Sequence, residues 1–225
     1  MSRFNIFSRI HKALSAMLYD TALTLEQASF TNKDEAEPSL KKLVQLLDVF
    51  DKHAENDDNY ILPAIIYYEP DLVDFFEKIH AQDHDLANQM RKQVSSYRMA
   101  LSGTRREQIG MEITRTFTEF MHFNLAQMAN EELVLNNVLW KYYSDMELMV
   151  INQRTVTSMR AEEASSSTWV VRGLSNADIV DLLRAVKDNA PDSVFNSLFA
   201  ITEKELPGIR FHQVMESLTY DKMIA

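Results

Sequence analysis

The sequence predicts an all-α protein, an up-down-up-down four-helix bundle followed by a small helical C-terminal extension. The first observation is composition. The 225 residues include only 4 Gly and 5 Pro, far fewer than the combined share of about 12% of residues that Gly and Pro usually make up. The second is that these few breakers leave four long stretches joined by short connections, as in antiparallel bundles. Sheet-rich folds need turn residues every few positions, so the composition argues against them.

Three breaks set the bounds of the predicted helices. The first is the polar run at Thr31, which precedes Pro38. The second centres on Pro70, a residue suited to the first turn of the helix that follows it. At the third, Gly103 is predicted to cap one helix and Thr104 to begin the next. The predicted helices span about 3–30, 36–67, 71–101 and 105–143.

The predicted organisation has three parts: the bundle over 1–143, a helical connector over 144–164, and the small helical extension over 165–225. The polar run at 165–168 is the candidate linker. Short helical signals then follow three helix-start residues: Ser175, Pro191 and Pro207. We expect the extension to pack on the bundle or on a second copy of the chain, which makes a homodimer one expectation.

The charge balance indicates which partners to exclude. The chain has 23 basic and 33 acidic residues and a formal net charge of −10. No basic run stands out, which argues against nucleic acid as a partner because phosphate binding needs clustered Lys and Arg.

Arg3 and Arg9 interrupt any apolar signal-peptide core, and no stretch approaches the ~18 apolar residues of a membrane span. We therefore expect no membrane partner and a cytoplasmic location.

The absence of Cys restricts the chemistry further. Disulfides, thiolate metal ligands and cysteine nucleophiles are all excluded, so any metal must be held by His and carboxylates. No acid–base pair, nucleophile constellation or phosphate loop is apparent. The residues therefore do not support enzymatic turnover.

Histidines and carboxylates recur at matching depths of the predicted helices. His53 precedes Asp57 by four residues, and His80 precedes His84 by four, so each pair shares a helix face. His11 lies in the apolar stripe of the first helix. His11 and His53 are equally far from the first turn. His53 and His84 are nearly equally far from the second turn, and so are Asp57 and His80. Equal offsets mean equal heights in antiparallel helices, which predicts one interior layer containing all five residues.

The fourth predicted helix completes this layer. At about 100° per residue, its inward stripe includes Asn124, Gln127 and Glu131. Glu131 is predicted as the sixth metal ligand, whereas Gln127 and Asn124 are expected to support the ligands or to act as weak ligands. His122 falls on the outer side of the same helix and is expected at the surface.

A layer of this kind favours a metal. Imidazoles and carboxylates inside a bundle are costly without a compensating partner, and without thiolates they suit Fe, Zn, Mn, Ni or Cu. Four His and two carboxylates can hold two ions bridged by the carboxylates. Such a centre leaves a position open for a small ligand such as O2.

Two alternatives stand beside this interpretation. A single interior His is more often a hydrogen-bonded core residue than a ligand, and that would hold for His11 taken alone. The strings Glu77-Lys-Ile-His80 and Glu119-Phe-Met-His122 also match the Glu-x-x-His pattern of ferritin-like carboxylate proteins. That pattern needs the second and fourth helices, whereas here it falls on the third and fourth, so we favour the first arrangement.

The arrangement resembles the hemerythrin-like (HHE cation-binding) family. Asp57-Asp-Asn-Tyr-Ile-Leu-Pro63 is similar to the family's Glu-Glu-x-x-Leu-Phe-Pro, and the stretch from Gln127 to Trp140 is similar to its His-Met-x-x-Glu-Glu stretch that ends in Leu-Trp. The resemblance covers 1–143, and Trp169-Val-Val-Arg-Gly-Leu looks like the C-terminal extensions of some members. Matching the family's ligand positions are His11, His53, Asp57, His80, His84 and Glu131.

The resemblance implies non-haem iron, with two ions in the centre and Zn or Mn as alternatives. It also implies that the protein binds or senses O2 or NO, handles iron, or defends against NO or peroxide. This chain departs from the family pattern at Gln127, where the family has His, and at Asp57, where it usually has Glu. The other interpretation is a helical interaction or regulatory module with a degenerate metal site, in which Gln127 is the first loss.

Overall fold

The computed structural model describes residues 3–159 and 164–220. Within these residues the chain is helical and contains no strand, which confirms the all-α class for the described part. None of the described helices is long and apolar enough to cross a membrane. The chain divides into two compact units. The first contains residues 3–7 and 17–159, and the second contains residues 8–16 with the described part of the C-terminal region.

The helices follow the predicted breaks closely. Their bounds are α1 Ser8–Glu26, α2 Lys33–Asn56, α3 Leu62–Ile65, α4 Pro70–Met99, α5 Gly103–Asn130, α6 Asn136–Tyr142, α7 Asp145–Met159, α8 Ala164–Gly173, α9 Asn176–Asn189, α10 Asp192–Glu205 and α11 Gly208–Tyr220. A π-helical turn over Asp57–Ile61, here called π1, joins α2 directly to α3. A second turn, π2 over Glu131–Leu135, joins α5 to α6. The second and fourth predicted helices are therefore continuous but each contains a π turn.

Side-chain caps begin the second and fifth helices. The Asn32 side chain accepts a hydrogen bond from the backbone N–H of Asp34 at the start of α2. At the start of α5, the Ser102 hydroxyl accepts from the N–H of Arg105. The predicted caps at Gly103 and Thr104 are therefore wrong. Gly103 is instead the first residue of α5, and its φ is not positive. No left-handed glycine is needed there, because α4 already ends at its C-cap Ala100, whose backbone is extended.

The first unit packs its long helices through buried aromatic side chains. Helix α4 packs along α5, and α2 packs on α4. Phe50 of α2 meets Phe120 of α5 edge to face, with ring centroids 5.3 Å apart. Tyr97 of α4 makes the same kind of contact with Phe30 and donates a hydrogen bond to its carbonyl oxygen at 2.9 Å. Gly110 of α5 lies directly against the Phe30 ring.

A second cluster of apolar side chains in this unit surrounds the two π turns. Its most buried members are Ile61, Leu62, Ile65, Val73, Phe76, Leu135, Leu139 and Leu148. Leu148 belongs to α7, so the described part of the predicted connector over 144–164 adds a helix to the first unit. Arg3 holds the N-terminal segment there by donating to the carbonyl oxygens of Trp140 and Tyr143.

The second unit has a core of its own. Its buried residues are Val171, Leu174, Ile179, Val180, Leu183, Leu206 and Val214. Ser175 and Asp178 form a reciprocal capping box at the start of α9, and Lys12 binds the Asp178 carboxylate at 2.6 Å. The linker predicted at 165–168 is wrong, since these residues are helical and form part of α8.

Candidate metal centre

Each π turn of the first unit begins at a buried carboxylate. Asp57 begins π1 and is 4% exposed, while Glu131 begins π2 and is fully buried. His53 and Gln127 precede these carboxylates by four residues and are also buried. Single π turns inside α-helices are rare and often mark functional sites. The two helical segments therefore present the same local arrangement towards the interior.

These side chains converge with one imidazole from α4. The ligand atoms of Asp57, His80 and Glu131 all lie within 4.8 Å of one another. His53 Nε2 is 3.6 Å from Asp57 Oδ2 and 3.7 Å from Glu131 Oε2. His80 Nε2 is 3.6 Å from Glu131 Oε1. The Glu131 carboxylate thus turns one oxygen towards each of the two imidazoles.

The separations suit an ion better than direct hydrogen bonds. N–H···O bonds are about 2.9 Å long, whereas these three N···O distances are 3.6 to 3.7 Å. An ion with ligands at about 2.1 Å holds its ligand atoms roughly 3 to 3.5 Å apart. Small movements of the side chains would therefore bring the present residues into a coordination sphere. Buried His, Asp and Glu groups in this part of the chain can hold a metal ion.

His80 is the most informative member of the group. Its Nδ1 hydrogen-bonds the Asp58 carboxylate at 2.6 Å. Its Nε2 is buried and has no hydrogen-bond partner among the described residues. Burial alone would lower the pKa of His80, but the hydrogen bond to Asp58 and the negative charges of the Asp58 and Glu131 carboxylates outweigh it and raise that pKa to about 10. Without a metal, His80 is therefore an imidazolium at neutral pH.

Gln127 and Asn124 both hydrogen-bond buried carboxylates. Gln127 Nε2 donates to Glu131 Oε1 at 2.8 Å. Asn124 Nδ2 donates to Asp83 Oδ1 at 2.6 Å and to the carbonyl oxygen of Phe120. Gln127 thus contacts a predicted ligand, whereas Asn124 contacts a carboxylate outside the predicted ligand set, and the role of both amides beside a metal stays a prediction.

The interior position expected for His84 is wrong. Its side chain is 54% exposed, and its Nδ1 lies 2.7 Å from Asp51 Oδ1. The inward face of α4 runs instead through His80, Asp83 and Ala87, and one residue further along turns the side chain by about 100°. His84 therefore does not join the buried group.

Asp83 is the buried acidic residue that sequence reasoning missed. It is 2% exposed, and burial raises its pKa to about 6, opposed by the hydrogen bond from Asn124. Its position three residues after His80 places both on one helix face. The i, i+3 spacing from His80 could have identified Asp83. The predicted ligand was instead His84, which follows His80 at i+4.

The remaining histidines fall at different levels of burial. His11 is buried in the part of α1 that belongs to the second unit, and its role as a ligand stays a prediction. His122 is exposed, as expected. Glu77 and Glu119 are exposed as well, so the Glu-x-x-His alternative does not supply an interior carboxylate.

The donor set consists of nitrogen and oxygen atoms only. Three members, Asp57, His80 and Glu131, meet in one buried group of the first unit, and His53 contacts both of its carboxylates. Comparison of the chain with family models, with curated proteins and with solved structures finds no match. The proposed function therefore rests on the chemistry of these residues.

Proposed function

We propose that this protein is a metal-binding helical bundle whose centre holds non-haem iron and binds a small diatomic ligand such as O2 or NO. The observation that carries the proposal is the buried Nε2 of His80. It has no hydrogen-bond partner among the described residues and faces Glu131 within the group that Asp57 completes. Two buried carboxylates beside a buried imidazole nitrogen are costly unless a cation compensates their charge, and a bound ion would displace the proton that His80 holds in its absence.

The kind of metal follows from the donors. Imidazole with carboxylate suits Fe, Zn and Mn, and two imidazoles with carboxylates leave coordination positions open on an octahedral ion. In such a centre His53 and His80 would supply neutral nitrogen, while Asp57 and Glu131 would supply negative charge. Bound ferrous iron would contribute the open positions and the electron density that a diatomic ligand needs.

The number of ions is part of the proposal. Glu131 has one oxygen near His53 and the other near His80, which supports a centre of two ions that this carboxylate would bridge. Four long helical segments joined by short connections support an up-down-up-down bundle of the hemerythrin-like kind. The motif resemblance around Asp57 and Glu131 supports the same family, and both carboxylates begin a π turn.

The decisive experiment is a metal assay on the purified full chain. Fe, Zn and Mn would be quantified before and after anaerobic reconstitution with Fe(II), with optical spectra recorded before and after exposure to O2 and NO. We expect iron to be retained and the spectrum to change with either gas. The His80→Ala variant should lose iron, whereas His84→Ala on the exposed side of α4 should retain it. A folded wild-type chain that keeps no metal would overturn the proposal.

One specific observation favours the alternative of an interaction module with a degenerate site. The amide of Gln127 donates to the Glu131 oxygen that faces His80, and so gives that oxygen a partner without any metal. The same assay separates the two functions. An interaction module would be fully folded and equally stable with and without added Fe(II), whereas a metal centre would gain thermal stability on binding.

A further inference from the structure

We propose that Asp58 is a positioning residue that holds the His80 imidazole with its Nε2 turned into the centre and so tightens metal binding. This inference rests on the proposed metal-binding function and extends it to a residue outside the predicted ligand set. Asp58 does not need to touch the ion. Its carboxylate acts on the opposite nitrogen of the ring.

The evidence lies in the two nitrogens of His80. The Nδ1–H donates to Asp58 Oδ1 over 2.6 Å, a short distance typical of a charge-assisted hydrogen bond. The other nitrogen, Nε2, is buried without a hydrogen-bond partner among the described residues and lies 3.6 Å from Glu131 Oε1. In a neutral imidazole the bond made by one nitrogen decides which nitrogen is left to bind metal. Asp58 therefore selects Nε2.

The two consecutive carboxylates of π1 differ in their burial and in the contacts that they make. Asp57 is almost fully buried and belongs to the group with Glu131. The side chain of Asp58 is 42% exposed, yet it still reaches the 5% exposed ring of His80. One carboxylate thus lies within the candidate centre, while its neighbour contacts the same imidazole from the solvent side.

The same two helical segments contain a natural comparison. Asp51 of α2 lies 2.7 Å from the Nδ1 of His84 on α4, so this pair repeats the carboxylate–imidazole contact one turn further along α4. His84 is exposed and lies outside the buried group. Removal of the Asp51 carboxylate therefore controls for the loss of an acidic residue between these helices without touching the centre.

The test measures zinc affinity by chelator competition in the full chain, with Asp58→Ala, Asp58→Asn and Asp51→Ala. Zn(II) is the probe because it is redox-inert. We expect a 10- to 100-fold weaker affinity for Asp58→Ala, the usual cost of removing a carboxylate that orients a ligand histidine. Asp58→Asn should lose less, since its amide oxygen still accepts from Nδ1–H. Asp51→Ala should bind like the wild type.

A spectroscopic measurement distinguishes positioning from a general loss of stability. In the zinc-loaded wild type, the proton on His80 Nδ1 should appear as a downfield, slowly exchanging signal in nitrogen-correlated NMR spectra. It should disappear in Asp58→Ala while circular dichroism stays unchanged. Wild-type affinity in Asp58→Ala, or an equal loss in Asp51→Ala, would overturn the role of Asp58. Absence of zinc binding by the wild type would instead overturn the proposed function.

Discussion

The buried carboxyl of Asp83 should make the stability of the metal-free protein depend on pH. Burial raises its folded-state pKa from 3.8 to about 6, although the hydrogen bond from Asn124 opposes the shift. A carboxyl whose pKa is raised by folding favours the folded state fully below its unfolded pKa. That contribution is lost as the pH rises through the folded pKa. The relevant window is therefore roughly pH 4 to 6.

The Asp83→Asn variant removes this ionisation while keeping an oxygen that can accept from Asn124. A shift of about two pKa units corresponds to about 3 kcal/mol. At pH 7.5 the variant should be more stable than the wild type by up to about 3 kcal/mol, less the cost of its new buried amide N–H. At pH 4 that advantage should be nearly gone, because Asp83 is then protonated in the folded wild type.

Urea unfolding of the chain in chelator, followed by circular dichroism at both pH values, measures the difference. The exposed Asp85 on the same helix provides the control, and Asp85→Asn should show no such dependence on pH. In thermal melts, about 3 kcal/mol corresponds to a shift of very roughly 6–12 °C for a chain of this size. Equal stabilisation by Asp83→Asn at pH 4 and pH 7.5 would refute the electrostatic reasoning.

Three further predictions follow from individual contacts. Gly110→Ala should destabilise the fold by about 1–2 kcal/mol despite the better helix propensity of Ala, because the added Cβ would overlap the Phe30 ring. Gly103→Ala, whose Cβ meets nothing closer than 3.5 Å, should be neutral in the same urea titration. Gln127→His should increase the number of ions bound per chain in a cobalt titration, and an unchanged count would contradict a bridging role for the neighbouring carboxylate. Metal binding at pH 7 should release a proton from His80, whose pKa is about 10; calorimetry would detect this as a heat that depends on the buffer, and a buffer-independent heat would exclude it.

Much of the secondary structure could be predicted because helix bounds depend on local signals. Pro70 and the polar residue Asn32 each lie at the predicted break and begin or cap a helix. The third break was predicted at the right place but with the wrong cap. Ser102 caps α5 because the chain is already extended at Ala100, so the turn does not require a left-handed glycine.

The side chains that meet in the interior were harder to predict. Offsets from the turns brought His53, Asp57 and His80 together correctly in height, because the rise per residue of a helix is nearly constant. Glu131 was placed instead by the inward stripe of the fourth predicted helix. The direction of a side chain is less certain, since an error of one residue rotates it by about 100°. This is why Asp83 took the inward position that was expected for His84.

What the sequence by itself determined is the helical class, the breaks between helices and a donor set of nitrogen and oxygen alone. Composition and local breakers suffice for these properties. Only the tertiary structure decided that π turns begin at Asp57 and Glu131, and that Asp58 reaches His80 from the solvent side. A π turn leaves no local sequence signature, and the contact between α4 and π1 joins residues 22 positions apart. Such features depend on the packing of whole helices, which no local pattern encodes.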